Sequence, residues 1–272
     1  MLASLDSNLE KSAKCFVFSS SCDMPEIRKR LELLELRKLS MIFIEFPENF
    51  LEQFEVMEGI LHFSNAAIFR LFSSSVLQKD IDSIIYLDGD LLVRKPINEG
   101  TFPNHVFSAL IEKKPSKEAS LATNYFNSGV FSTKLSYWRE NNVEELLRNF
   151  LKDNLNSIYK DQDALNSVFA TRNFPPLSDN LNFIIQNYNR KEIEQRDPMI
   201  VHFAGPLKPW KLSTPNSFYV HEWRTFAKSV GIDLYNSRNI LLYLKRFAIL
   251  LGIHLIVRKL RGLLSDFFNK AK

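Results

Sequence analysis

The sequence predicts an α/β domain with a mostly parallel central sheet, and three observations carry that prediction. Short apolar runs rich in aromatic and β-branched residues alternate with longer segments that are apolar at helical spacing. One such run, SIIYLDGDLLV, passes from a buried-strand pattern straight into two carboxylates, and open α/β sheets bind ligands at the carboxyl ends of their strands. With 45% apolar and 24% charged residues in 272, the chain can bury a full core, which excludes a disordered or collagen-like chain.

Taken in order, KCFVFSS (Lys14 to Ser20) reads as a buried strand. Asp23 as N-cap, with Pro25 in the first turn, opens a helix through EIRKRLELLELRK. MIFIEF (Met41 to Phe46) is a second strand, stopped by Pro47, and His62 to Leu77 is apolar at helical spacing. Ser83 to Leu87 is the strand that ends in Asp88 and Asp90. Further strands are expected at His105 to Ile111 and Tyr125 to Phe131, and helices at Leu135 to Leu151 and Asp161 to Ala170. A short strand at Met199 to Phe203 leads into AGPLKPW, and Glu112 to Ser120 reads as a polar surface loop.

Composition narrows the chemistry. Two cysteines, Cys15 and Cys22, make neither a disulfide framework nor a four-cysteine zinc cluster and suit a reducing compartment. Neither G-x-G-x-x-G nor G-x-x-x-x-G-K occurs among only 8 glycines, so any nucleotide phosphates must be neutralised without a glycine-rich loop. The net charge of +4 is unevenly spread. Ser237 to Lys272 holds eight basic residues against the single acid Asp266, a segment of +7, which leaves the rest of the chain at −3. A nucleic-acid binder is not expected, since only this tail is basic and no aromatic platform accompanies it. MLASLDSNLEKSAK lacks the basic leader and apolar stretch of a signal peptide, so export is not expected. The apolar run Phe247 to Val257, about 11 residues long, falls short of the ~20 needed to span a bilayer.

Four motifs offer chemistry, and each has a plainer reading beside it. Of three Asp-x-Asp pairs, Asp80/Asp82 precedes its strand and fits a solvated turn. Asp88/Asp90 follows an apolar strand, with Gly89 letting the backbone bend so that both carboxylates face one point, where a hard divalent cation with open positions would fit; a capped strand end is the alternative. Asp161, Gln162 and Asp163 open a helix, where Asp161 can serve as the cap while Gln162 and Asp163 point into a cleft. His202, Gly205, Lys208 and Trp210 share one compact turn, HFAGPLKPW: an imidazole for a metal, a glycine for close backbone approach and a point charge for a diphosphate, against the alternative of a core histidine. In NYFNSGVF, Asn127 and Ser128 offer neutral hydrogen bonds and Gly129 allows close packing; a strand with a turn is the plainer reading.

The ordered set YLDGD, NYFNSGV, DQDALN and HFAGPLKPW closely resembles the family 8 glycosyltransferases, which include bacterial lipopolysaccharide and lipooligosaccharide glucosyl- and galactosyltransferases and glycogenin. SNAAIFRLF resembles the family's helix carrying an arginine near the donor, here Arg70. The resemblance covers roughly Leu2 to Trp223 and implies a GT-A nucleotide-diphospho-sugar transferase fold, with a mixed, mostly parallel central sheet. It implies retaining transfer of a hexose from UDP-galactose or UDP-glucose to a glycan or glycolipid acceptor in lipopolysaccharide synthesis. It assigns Asp88, Asp90 and His202 to Mn²⁺ or Mg²⁺, and Arg70, Asp88, Gly89, Asp90, Asn127, Gly205 and Lys208 to the UDP-sugar. Asn127 and Asp161 would hold sugar hydroxyls, with Gln162 under the reacting face of the sugar. An amide is a poor nucleophile, so the implied route is a front-face, substrate-assisted displacement.

Against that pattern, Met1 to Leu9 resembles the end of the family's first helix, so the expected domain lacks its first strand and exposes apolar strand edges. A catalytically inactive, sugar-nucleotide- or glycan-binding relative is the alternative this raises. The expected organisation is a glycosyltransferase domain over residues 1–230 and a basic tail over 231–272. RNILLYLKRFAILLGIHLIVRKLRGLLSDFF fits an amphipathic helix or helix pair lying on an anionic membrane; a docked C-terminal helix is the alternative. Together these place the protein in the cytoplasm at the inner face of a bacterial membrane.

Overall fold

The computed structural model describes residues 1–54, 65–113, 124–155, 157, 159–211 and 213–232. The expected amphipathic tail, most of the Glu112 to Ser120 loop and the start of the expected helix at His62 lie outside the described residues.

Eight strands form three ladder groups among the described residues: β1 (Ala13–Ser20) with β2 (Leu39–Phe46); β3 (Ser83–Leu87) with β6 (Phe126–Lys134) and β5 (Phe107–Ile111); and β4 (Leu91–Val93) with β8 (Ile200–His202) and β7 (Phe183–Ile184). Pairing is mixed. β1/β2 and β7/β8 are parallel, while β3/β6, β5/β6 and β4/β8 are antiparallel, so of the motif-bearing strands β3 and β6 pair only antiparallel and β8 pairs both ways.

Alternation along each strand splits the sheet residues between two apolar clusters. Phe18, Ile44, Phe46, Tyr86, Phe107, Ala109, Phe126 and Phe131 join a phenylalanine-rich cluster with Phe69, Phe72, Trp138, Leu147 and Phe169. Their neighbours Cys15, Leu39, Leu87, Leu110 and Val130 join a cluster with Leu5, Leu91, Val93, Leu181 and Ile200. In the first, Phe107 and Phe169 stack with ring centroids 4.1 Å apart. β1–β2 and β3–β6–β5 therefore border the same two clusters, yet no ladder joins β1 to β3 among the described residues, and Ile85 on β3 is 43% exposed.

Helix α1 (Leu2–Asn8) covers the free side of β4: Val93 N–H donates to Ser4 Oγ, and Asn8 Nδ2 donates to Val93 O. Helix α2 (Met24–Leu31) stops well before Lys38, and the backbone N–H groups of Arg37, Lys38 and Leu39 donate to the Asp6 carboxylate where the chain enters β2. The expected helix at His62 to Leu77 is a 3₁₀ segment (Asn65–Phe72) followed by one α-helical turn, α3 (Ser73–Val76). That expected at Leu135 to Leu151 is two, α4 (Leu135–Glu140) and α5 (Val143–Asp153), broken where Asn142 takes a left-handed φ of 49°. Helices α6 (Lys160–Phe169) and α7 (Arg190–Glu194) precede β8.

The chain divides into two compact units, Met1–Lys208 and Pro209–Lys272. In the second, helix α8 (Phe218–Ser229) packs Trp223 near Trp210, and Arg224 donates to the carbonyls of Pro209, Lys211 and Thr214. No helix among the described residues is long and apolar enough to cross a membrane.

Candidate functional site

The Asp88–Gly89–Asp90 turn lies where two sheets meet, because β3 enters it and β4 leaves it. β3 pairs with β6, which carries the Asn-Ser-Gly motif, and β4 pairs with β8, with Leu91 opposite His202. Topology thus brings together three motifs that are more than 100 residues apart at their extremes. Asp88, Asp90 and His202 form a cluster whose ligand atoms all lie within 4.8 Å of one another. His202 Nε2 is 3.3 Å from Asp90 Oδ1 and 3.9 Å from Asp88 Oδ2. Lys208 Nζ donates to Asp90 Oδ2 and to the Phe203 carbonyl. Burial alone would favour the neutral acid at Asp90, but the His202 ring and the Lys208 ammonium hold its carboxyl at about 2.

Two observations fit a small hard cation here. Asp90 Oδ1 is buried and accepts no hydrogen bond. A β-carbon at Gly129 would overlap His202 Cε1 and lie 2.7 Å from Asp88 Oδ2, so the chain keeps side-chain bulk out of the cluster. Two carboxylates and an imidazole suit Mn²⁺ or Mg²⁺ with positions left open.

A bulge in β6 builds the adjoining half of the site. The β5 register jumps from Ala109 opposite Phe131 to Leu110 opposite Asn127, which leaves Ser128, Gly129 and Val130 without β5 partners. Their backbone groups turn to the site: Ser128 O accepts from Arg70, Ser128 N–H donates to Gln162 Oε1, and Gly129 O accepts from Asp88 N–H. Arg70 is buried and holds three elements at once. It donates to Asp88 at 3.3 Å, to Ser128 and to Asp161, while its guanidinium lies 4.4 Å from the Tyr86 ring centroid.

The family described as Glycosyl transferase family 8 matches residues 1–214. This chain belongs to glycosyl transferase family 8. General stress protein A of Bacillus subtilis is 27% identical, over 84% of this chain and 90% of its own length. The lipopolysaccharide 1,2-glucosyltransferase of Escherichia coli K12 is 28% identical over 64% of this chain, and the lipopolysaccharide 1,3-galactosyltransferase of Salmonella typhimurium 25% over 82%. The chain spans 55% and 68% of those two. Among solved structures, the galactosyltransferase LgtC in complex with donor and acceptor sugar analogues superposes with a TM-score of 0.67 at 19% identity, covering 85% of this chain and 91% of that one. The bifunctional glycosyltransferase WbbM superposes at 0.59 with 16% identity, over 89% of this chain and 48% of that one. The fold is GT-A, with the sequence-predicted C-terminal tail outside the described residues.

Within this family 8 chain, Arg70, Asp88, Asp90, Asn127, Asp161, Gln162, His202 and Lys208 all join one connected network, and the structure departs from the sequence reading at the opening of α6 and at Gly89. Asp161 does not cap α6; it is buried on Arg70. The helix opening is closed by Asp163, whose carboxylate accepts from Ser157 Oγ, Tyr159 N–H and Tyr125 Oη. Gly89 has no positive φ and faces open space, so the turn does not depend on its flexibility. Gly205, by contrast, sits at φ +78°, a conformation that favours glycine, where the chain turns between His202 and Lys208.

Three residues of the network escaped the sequence reading. Glu112 Oε1 accepts from Gln162 Nε2 at 3.3 Å; burial, offset in part by hydrogen bonds from Asn127 and Gln162, pushes its carboxyl up. Tyr125 Oη sits 3.1 Å from the same amide nitrogen. Asn166 makes both hydrogen bonds of a strand partner to Phe126 and so anchors α6 beside β6. Glu112 lay inside a segment read as surface loop, and no local pattern separates it from the other charged residues of that segment.

Proposed function

We propose that this chain is a retaining hexosyltransferase that moves galactose or glucose from a UDP-sugar to a glycan or glycolipid acceptor in lipopolysaccharide synthesis, on the cytoplasmic face of a bacterial membrane. The observation that carries the reading is the Asp88–Asp90–His202 cluster with Lys208 seated on Asp90. The lipopolysaccharide transferases among its relatives, and the donor and acceptor sugars named for LgtC, support the substrate class.

Asp88, Asp90 and His202 would hold Mn²⁺ or Mg²⁺, which supplies charge neutralisation at a diphosphate leaving group. Lys208 adds a point charge on the same side, and Gly205 lets the backbone approach closely. Asn127 and Asp161 orient sugar hydroxyls. Gln162 is held by both ends, its oxygen by Ser128 N–H and its nitrogen by Glu112 and Tyr125, so its dipole is fixed beside the reacting centre. An immobilised neutral amide stabilises developing positive charge but makes a poor covalent nucleophile, which favours front-face displacement.

The test is UDP release from UDP-galactose and UDP-glucose, with and without Mn²⁺, and the anomeric configuration of any product by NMR. Release that EDTA abolishes and that Asp90→Asn lowers by on the order of 10²-fold or more is expected. Release unaffected by EDTA would sink the metal assignment. The sides of β1 and β3 that have no ladder partner among the described residues favour a second reading, an inactive sugar-nucleotide-binding relative. UDP-sugar binding without release from either donor would support it.

A further inference from the structure

We infer that Asn182 is a positioning residue that fixes the tautomer of His202 and aims its Nε2 lone pair into the carboxylate cluster. The inference rests on the proposed metal reading of that cluster and adds a residue to it.

The argument starts from a backbone group whose role is unambiguous. Gly129 N–H can only donate, and it reaches the Asn127 side chain at 3.0 Å, so the atom it meets is Asn127 Oδ1. That same oxygen lies 3.0 Å from the Asn182 amide, which must therefore turn its Nδ2 toward it. Asn182 Oδ1 is then left facing His202 Nδ1 at 2.8 Å, and an amide oxygen can only accept. The proton of this contact belongs to Nδ1. In the neutral ring Nε2 is unprotonated, and it is the nitrogen that faces Asp90 Oδ1 and Asp88 Oδ2.

With the ring neutral this arrangement is repulsive, and a positive charge between the groups, either a second proton on Nε2 or a bound cation, removes the conflict. A ring lone pair faces two carboxylate oxygens, one of them buried without a hydrogen bond. A divalent cation resolves the conflict, and a histidine ligand whose far nitrogen donates to a fixed acceptor is the arrangement that orients a metal-binding imidazole. Asn182 is completely buried between a 3₁₀ turn and β7, so packing holds its amide in place. Through Asn127, whose Nδ2 lies 3.4 Å from Gln162 Oε1, it also ties the orientation of the metal histidine to that of Gln162.

The measurements are the ¹⁵N signature of His202 in the metal-free protein and Mn²⁺ affinity by titration calorimetry. In the wild type, Nδ1 is expected to be protonated; a bare Nδ1 with the proton on Nε2 alone would overturn the inference without any variant being made. Asn182→Leu keeps the branched shape, replaces both polar atoms by methyl groups and so removes both hydrogen bonds, and is expected to weaken Mn²⁺ binding by about 10- to 100-fold. Asn182→Asp keeps an acceptor for Nδ1 and is expected to restore both the signature and affinity to within a few-fold of wild type. Unchanged Mn²⁺ affinity in Asn182→Leu, or no rescue by a folded Asn182→Asp, would contradict the proposal. A wild type that binds no Mn²⁺ strikes the metal reading instead, and the nitrogen signature still judges Asn182.

Discussion

Gly129 shows how a single position controls the site. The constraint is space, since its φ is not in the left-handed region: a β-carbon would run into the His202 ring and the Asp88 carboxylate. The backbone cannot retreat, because Gly129 O accepts from Asp88 N–H at 2.8 Å and Gly129 N–H donates to Asn127. Gly129→Ala is therefore expected to lower Mn²⁺ affinity at least tenfold, and overpacking of this kind costs about 1–3 kcal/mol of stability. Calorimetric titration and thermal denaturation check the two halves separately. Wild-type Mn²⁺ affinity in a folded Gly129→Ala variant would place the cation elsewhere.

At the scale of elements, the informative joint is between α1 and β2. Asp6 is buried and its carboxylate accepts backbone N–H groups from Arg37, Lys38 and Leu39, at 2.7–3.1 Å, where the chain enters β2. Burial opposes its charge, but those three N–H groups outweigh it and hold the Asp6 carboxyl below its ordinary range. A group with a lowered folded pKa contributes stability that is complete above its unfolded value, roughly 4, and is lost as pH falls through the folded value. Asp6→Ala leaves the N–H groups unpaired and is expected to cost about 2 kcal/mol near neutral pH, with less difference from wild type in acid. Urea denaturation at a series of pH values tests this, and a constant difference from pH 7 down to pH 2 would contradict it.

Over the whole molecule, charge separates what the fold does not. The described part carries the site; the +7 segment Ser237 to Lys272 lies outside the described residues and is read from sequence alone. Its interleaved cations and aliphatic residues suit an anionic bilayer surface, at about 1 kcal/mol per cation close to the membrane. Deleting residues 237–272 is expected to release the protein from liposomes containing anionic lipid while leaving UDP release intact. Unchanged sedimentation with such liposomes would remove the membrane assignment.

The strands ending in Asp88 and Asp90 and in His202, and the helix behind Gln162, were legible in the sequence because each is a local pattern: an apolar run, then a polar group at its end. The order of YLDGD, NYFNSGV, DQDALN and HFAGPLKPW carried the family as well. What the sequence could not hold is which backbone groups are left over when strands pair. The bulge that frees Ser128 and Gly129 exists only because β5 shifts register against β6, and the backbone entering β2 is held by a carboxylate about thirty residues earlier, Asp6. Asn182 and Glu112 look like ordinary polar residues until β7, β8 and α6 converge on them. Local composition determined the elements and the ligands, and tertiary pairing decided which hydrogen bonds aim them, because a donor or acceptor has no partner until the chain has brought one within 3 Å.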